Sequence, residues 1–225
     1  MNQLLALPIV LPAFTAALLL VLPRAPLVMA RALSAAATLG LFTAAIALLG
    51  QAKSGTPLVY QVGNWPAPFG IVLVVDRLSA FMLLLTALLA LAVLLYAVQG
   101  WDARGQYFHP LFLFQLMGLN GAFLAGDLFN LFVFFEILLI ASYCLALQGL
   151  IVERLRATLH YAAINIVASS VFLIAVSLLY GVTGTLNMAH LAERMAQVKT
   201  GDVALARTAG LLLLGVFSIK AALFP

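Results

Sequence analysis

Charged side chains are scarce in this sequence, which has 11 basic and 7 acidic residues among 225, or 8% charged residues. Soluble domains carry about 25%, so these side chains cannot cover the surface of a soluble enzyme, a nucleic-acid-binding protein or a disordered tail. Cys144 is the single cysteine, which excludes an intrachain disulfide. No GxGxxG or GxxxxGK[ST] motif occurs, and His109 and His190 fall in separate predicted loops. We therefore expect no nucleotide site, no metal site and no bound cofactor.

Apolar residues make up 65% of the chain, and the mean hydropathy is +1.18. At ~20 apolar residues per spanning helix, seven spans would use roughly 140 to 160 residues. The N-terminus has no basic n-region and its apolar stretch is too long for a signal peptide, so it is predicted to be the first span. The predicted fold is an all-α, multi-pass membrane protein with about seven transmembrane helices. The predicted spans are 2–22, 29–50, 76–99, 108–125, 128–148, 158–180 and 207–225.

Two further segments are too short or too polar to span a membrane. Runs rich in β-branched residues at 58–62 and 71–75 flank GNWPAPFG at 63–70, which predicts a β-hairpin with a long loop at the membrane surface. Residues 183–205 carry apolar side chains mostly at helical spacing. They predict a short amphipathic helix that lies in the membrane interface.

The basic residues fall into two sets in alternate loops, and the set in the shorter loops is predicted to be cytoplasmic. The predicted cytoplasmic set has five basic residues, and the opposite set has four, with a further one at its boundary. This prediction places the N-terminus outside. The predicted cytoplasmic set is Arg24, Arg31, Arg104, Arg154 and Arg156. The opposite set is Lys53, Arg194, Lys199 and Arg207, with Arg77 near its boundary.

Two ionisable residues, Glu136 and Lys220, lie inside predicted spans. At 1.5 Å per residue, Glu136 lies roughly 13 Å beyond Asp127 and Lys220 roughly 20 Å beyond Arg207, within a hydrocarbon core of ~30 Å. An intramembrane charge costs about 2.5 to 3.5 kcal/mol on insertion scales and indicates a functional site by default. Because burial disfavours both charged forms, each group can hold or release a proton within the membrane. A structural ion pair or a polar helix contact is the alternative.

Span six carries a polar stripe, because Tyr161, Asn165 and Ser169 repeat every four residues. The stripe is a candidate to hold water beside Glu136, but hydrogen bonds between helices explain such stripes equally well. His160, at the start of the same span, is a candidate proton entry or exit group. The alternative for His160 is a position among the lipid headgroups.

Four stretches of the sequence resemble one family of membrane proteins. They are GDLFNLFVFFE at 126–136, GNWPAPFGI at 63–71 followed by DRLS at 76–79, GTLNMA at 184–189, and SIKAALFP at 218–225. This pattern resembles the D-type subunits of Mrp multisubunit cation/proton antiporters and, less closely, the proton-pumping membrane subunits of complex I. The similarity extends over the whole chain and includes both intramembrane charges.

The resemblance implies a fourteen-helix fold in which three leading helices precede two inverted repeats of five helices. The chain would then hold leading helices 2–22, 29–50 and 76–99 and an incomplete first repeat at 108–225, without the second repeat. It is expected to be the N-terminal part of a longer protein and to be inactive alone.

The resemblance also implies that Glu136 pairs with Lys220, and that the lysine passes its proton along a hydrated path. The implied role is a secondary transporter subunit in a bacterial plasma membrane, which assembles with other membrane subunits and exchanges Na⁺ or K⁺ for protons without a redox cofactor. One rival hypothesis is a proton-pumping subunit of complex I or a membrane hydrogenase. The other is a non-transporting membrane scaffold.

Overall fold

The computed structural model describes residues 3–22, 26–149 and 152–223, and the described chain is predominantly helical. Residues 23–25, which include Arg24 of the predicted cytoplasmic set, and the last two residues of the SIKAALFP stretch lie outside the described residues. The helices are α1 (Leu7–Val21), α2 (Leu27–Ala52), α3 (Arg77–Ala97), α4 (Phe108–Leu124), α5 (Leu128–Ala146), α6 (Val152–Thr183), α7 (Met188–Met195) and α8 (Val203–Lys220). The strands are β1 (Leu58–Gln61) and β2 (Val72–Val75).

Seven of these helices correspond to the seven predicted spans. Five are long and apolar enough to cross a membrane, namely α2, α3, α5, α6 and the segment Thr200–Lys220 that contains α8. The helices α1 and α4 are apolar but shorter. The amphipathic helix predicted within 183–205 is α7. The all-α membrane architecture with a small hairpin is therefore confirmed.

Span six is longer than predicted, because α6 runs over 32 residues from Val152. Glu153, Arg154 and Arg156 suggested a loop, but they form the first turns of the helix. His160 therefore lies about two turns inside α6 rather than at its start. Glutamate and arginine are good helix formers, so a run of them does not end the helix.

The hairpin is confirmed and packs onto the junction between α4 and α5. Strands β1 and β2 are antiparallel, with Tyr60 opposite Leu73. The Gly126 N–H donates to the Val72 carbonyl at 2.8 Å, and a Cβ on Gly126 would lie 2.7 Å from that oxygen. Only glycine fits this close approach. On its other side the junction pairs with the segment before α7, through the bridge between Asp127 and Asn187.

The helices α4 and α5 pack closely because small residues of α4 face α5. A Cβ on Gly118 would lie 2.7 Å from the Leu138 backbone nitrogen, and one on Gly121 would overlap the Phe134 ring. Small residues allow this approach in membranes, where tight packing is a main source of helix association. The contact joins a group formed by α1 to α4 to a second group formed by α5, α6 and α8.

Candidate functional site

The hydroxyl group of Ser169 links the two intramembrane charges. It donates a short hydrogen bond to Oε1 of Glu136, and Nζ of Lys220 donates to Ser169 Oγ at 3.4 Å. The three residues come from α5, α6 and α8. Among the described residues, ion pairs of 4.0 Å or less do not include Glu136 or Lys220. The serine is thus the connection between carboxylate and ammonium.

The linked residues lie against an aromatic wall. Ser169 is buried, whereas Glu136 and Lys220 are half-buried. Lys220 Nζ lies 5.2 Å from the centroid of the Phe135 ring, and the Phe217 ring meets Phe135 edge-on. A ring face attracts a nearby cation, and a weakly polar wall strengthens the hydrogen bonds beside it.

Lys220 lies at the end of α8, which corrects the prediction of a continuous span to residue 225. Ala222 has φ +53, the Ala222 N–H donates to the Ile219 carbonyl at 3.0 Å, and the Leu223 N–H donates to the Ser218 carbonyl at 2.9 Å. This pair of bonds is a Schellman motif, which usually has glycine where Ala222 stands. The negative end of the α8 dipole therefore lies beside the ammonium group.

A cavity of about 390 Å³ extends from Lys220 between α4, α5, α6 and α8. Tyr161 and Asn165 line it together with apolar side chains. A space of this size with polar groups on its wall can hold several water molecules. The cavity therefore leaves room for water beside the Lys220 side chain.

The predicted polar stripe is divided between the link and the cavity. Ser169 belongs to the link, whereas Tyr161 and Asn165 line the cavity, and the Asn165 side chain donates to the Tyr161 carbonyl at 2.9 Å. His160 is exposed and is not among the residues that line the cavity. Tyr143 was not among the predicted site residues, and its ring lies edge-on to Tyr161 with ring centroids 5.1 Å apart. Its position seven residues after Glu136, on the same helix face, was the available signal.

A second polar cluster lies at the end of the bundle away from the hairpin. Asp102 is 1% exposed and accepts from Arg31 Nε at 2.7 Å and Nη2 at 2.9 Å. His109 Nε2 lies 3.2 Å from the same carboxylate, and Nδ1 lies 3.0 Å from Ser34 Oγ. The Arg31 hydrogen bonds hold the pKa of Asp102 below its usual value.

This cluster corrects two placements made from the sequence. Arg31 was counted with the loop charges, but it lies in α2 and forms an ion pair. His109 and His190 were assigned to loops, but they belong to α4 and α7. Within the described residues no group of three His, Cys, Asp or Glu side chains is placed to hold a metal ion.

The C-terminal part of the chain, which contains the linked charges, matches a known family model. Residues 125–225 match the transmembrane domain of the NADH:quinone oxidoreductase/Mrp antiporter family. Glu136, Ser169 and Lys220 all fall within this stretch. The match therefore covers the complete link.

Curated relatives extend the similarity to the whole chain. A probable K⁺/H⁺ antiporter protein of Rhizobium meliloti, a D-type subunit, is 48% identical over 230 residues, which is 100% of this chain and 43% of the relative. The D-type subunit of an Na⁺/H⁺ antiporter of Bacillus subtilis is 39% identical over 227 residues, again 100% of this chain and 45% of the relative. The chain is related to these D-type antiporter subunits. It spans less than half of their length.

Solved structures show the same fold. The Mrp complex from Dietzia sp. DQ12-45-1b contains a chain with a TM-score of 0.85 and 34% identity, matched over 99% of this chain and 42% of that chain. An archaeal membrane-bound sulfane sulfur reductase gives a TM-score of 0.91 and 32% identity, over 100% and 46%. The resemblance inferred from the sequence is thus confirmed, and the protein is a multi-pass membrane protein.

Proposed function

We propose that this chain belongs to a proton-translocating subunit of a multisubunit Na⁺/H⁺ or K⁺/H⁺ antiporter in a bacterial plasma membrane. The observation that carries the proposal is the link from Glu136 through Ser169 to Lys220, because it joins an acid and a base inside the membrane. The names of the curated relatives supply the class of exchange. The expected partners are other membrane subunits of the antiporter and the surrounding lipid.

The link provides a proton transfer that balances charge. Lys220 Nζ gives a proton to Ser169 Oγ while the serine gives its own proton to Glu136 Oε1, since a hydroxyl group can accept and donate at once. The ammonium and carboxylate become a neutral amine and a neutral acid. A weakly polar surrounding favours the neutral pair over two separated charges, whereas water near Lys220 favours the charged form.

The cavity beside Lys220 completes the proposed path. Water held between Tyr161, Asn165 and Lys220 can deliver a proton to the amine once the lysine has given up its own. The protonated lysine can transfer a second proton only after Glu136 has released the first one. In this mechanism Tyr161 and Asn165 position water, and His160 acts as a proton exchanger at the exposed surface of α6.

A second candidate is a membrane subunit of a redox-driven complex. It is favoured by the TM-score of 0.91 with the sulfane sulfur reductase chain. In such a complex the same link from Glu136 to Lys220 would carry the proton. The subunits that copurify distinguish the two candidates. Peripheral subunits with bound iron–sulfur clusters would favour the redox complex, whereas purely membrane-embedded partners without redox groups favour the antiporter.

The proposal is tested by replacing Lys220 with methionine in the assembled complex. Methionine fills a similar volume but carries no proton, so we expect cation-driven proton exchange in proteoliposomes to fall to background. Lys199→Met is the matched control, because Lys199 is exposed between α7 and α8. If the assembled Lys220→Met complex exchanged protons at the wild-type rate, the proposal would be wrong and Lys220 would have only a packing role.

A further inference from the structure

We propose that Trp101, Arg104, Arg154 and Gln148 form a binding site for an anionic phospholipid of the phosphatidylglycerol type. The site lies at the end of the bundle away from the hairpin. It is separate from the link between Glu136 and Lys220.

Two arginines from distant parts of the chain converge on one indole ring. The guanidinium carbon of Arg104 lies 4.3 Å from the Trp101 ring centroid, and that of Arg154 lies 5.3 Å from it. The ring attracts each cation, so two positive charges are held around one side chain. A phosphate group beside these guanidinium groups would balance that charge and accept hydrogen bonds from them.

A groove starts at Arg104, one of these two arginines, and continues between the helices. It has a volume of about 910 Å³, begins at Arg104 and Gly105, and has apolar walls formed by Leu20, Leu111 and Leu147. These walls belong to or directly follow helices α1, α4 and α5 of a membrane protein, so an acyl chain could lie along them. A bound phospholipid would place its phosphate at the arginines and one acyl chain along the leucines.

The mouth of the groove also contains an unused hydrogen-bond acceptor. Gln148 lines the groove, and its Oε1 is buried without a hydrogen-bond partner in the described part of the chain. A Cβ on Gly105 would contact the Gln148 side-chain amide, so glycine keeps the two segments close. A buried acceptor is costly unless a donor reaches it. Because the Gln148 side chain is half-buried at the groove, a rotation of its amide toward the groove would let the glycerol hydroxyls of phosphatidylglycerol donate to Oε1.

The charge around the site favours an anion. Arg31, Arg104, Arg154 and Arg156 lie at this end, whereas the described acidic residues there are Asp102 and Glu153. Asp102 is already paired with Arg31. Basic pockets between membrane helices are suited to anionic headgroups. Phosphatidylcholine offers no net charge to this surface and no headgroup hydroxyl to Gln148.

The test is native mass spectrometry of the purified membrane complex after exchange into phosphatidylglycerol or phosphatidylcholine. We expect the wild-type complex to retain one more phosphatidylglycerol than the Arg104→Gln, Arg154→Gln double variant, whose affinity at this site should fall at least tenfold. Arg156→Gln is the matched control, since Arg156 is exposed on the same helix. It should retain phosphatidylglycerol as the wild type does.

A second variant distinguishes headgroup recognition from loss of fold. Gln148→Leu should weaken retention of phosphatidylglycerol but not of phosphatidic acid, which has the phosphate without the glycerol hydroxyls. Equal retention of phosphatidylglycerol and phosphatidylcholine by the wild type would overturn the proposal. So would unchanged retention in the double arginine variant, or a cross-link showing that another subunit fills the groove.

Discussion

Replacing Ser169 with alanine removes the hydroxyl group that joins Glu136 to Lys220 and changes little else. Ser169 is 6% exposed in the middle of α6, and alanine is at least as good a helix former. The change therefore leaves both charged groups in place and deletes the Oγ atom, which is hydrogen-bonded to both. Ser170→Ala is a matched control, because the neighbouring Ser170 is exposed and its hydroxyl donates to the Ile166 carbonyl of its own helix.

The size of the effect follows from the bond to the carboxylate. A hydrogen bond to a charged group contributes about 1.5–3 kcal/mol, and each 1.4 kcal/mol corresponds to about a tenfold change. If proton transfer runs through this bond in every cycle, Ser169→Ala should slow exchange about 10- to 150-fold. Ser170→Ala should stay within about twofold of the wild-type rate, since an exposed surface change has little effect.

The assay is cation-driven proton exchange in proteoliposomes that contain the assembled complex, followed with a pH-sensitive dye. Equal amounts of complex are compared after size-exclusion chromatography has shown normal assembly. Exchange at the wild-type rate by the Ser169→Ala complex would refute proton transfer through the link, because Glu136 and Lys220 would then act without the hydroxyl between them. A loss of exchange in Ser170→Ala would show that the assay reports general damage to α6.

Two further predictions concern the packing and the buried ion pair. Gly118→Ala should lower the thermal midpoint of the complex by several degrees, because the new methyl group meets the Leu138 backbone. In the control Gly215→Ala the methyl group meets nothing within 4 Å, so the midpoint should stay unchanged or rise. Equal midpoints for the two variants would contradict the close α4–α5 packing. Asp102→Asn should lower the midpoint at neutral pH. Since the pKa of Asp102 is lowered in the fold, its ion pair stabilises the protein above about pH 4, the usual carboxyl value, and that stability is lost as the pH falls further. Wild-type and Asp102→Asn midpoints should therefore converge below pH 4, and a constant difference down to pH 2 would contradict the assignment.

The elements were predictable from the sequence wherever a local pattern determines them. Apolar runs of sufficient length predicted the spans, and two β-branched runs around GNWPAPFG predicted the hairpin. Glu136 and Lys220 were recognisable because an isolated charge in an apolar run is costly. Ser169 was found in the polar stripe of α6, but the stripe alone left hydration and helix packing as equal alternatives.

The remaining features depend on contacts between distant segments or on backbone conformation. Arg31 and Asp102 are 71 residues apart, so nothing in either neighbourhood predicts their ion pair. The end of α8 at Lys220 depends on a left-handed Ala222, where the usual glycine signal is missing. Arg154 was counted as a loop charge, because a charged first turn of a helix and a charged loop have the same composition.

The most direct test of the central claim is the exchange activity of Glu136→Gln in the assembled complex. Glutamine keeps the shape and can still accept the Ser169 hydrogen bond, but it cannot take up the proton. We predict that cation-driven proton exchange falls to background in Glu136→Gln, while Glu153→Gln, at the exposed start of α6, exchanges at the wild-type rate. Wild-type exchange by a normally assembled Glu136→Gln complex would contradict the claim that this carboxylate carries the proton.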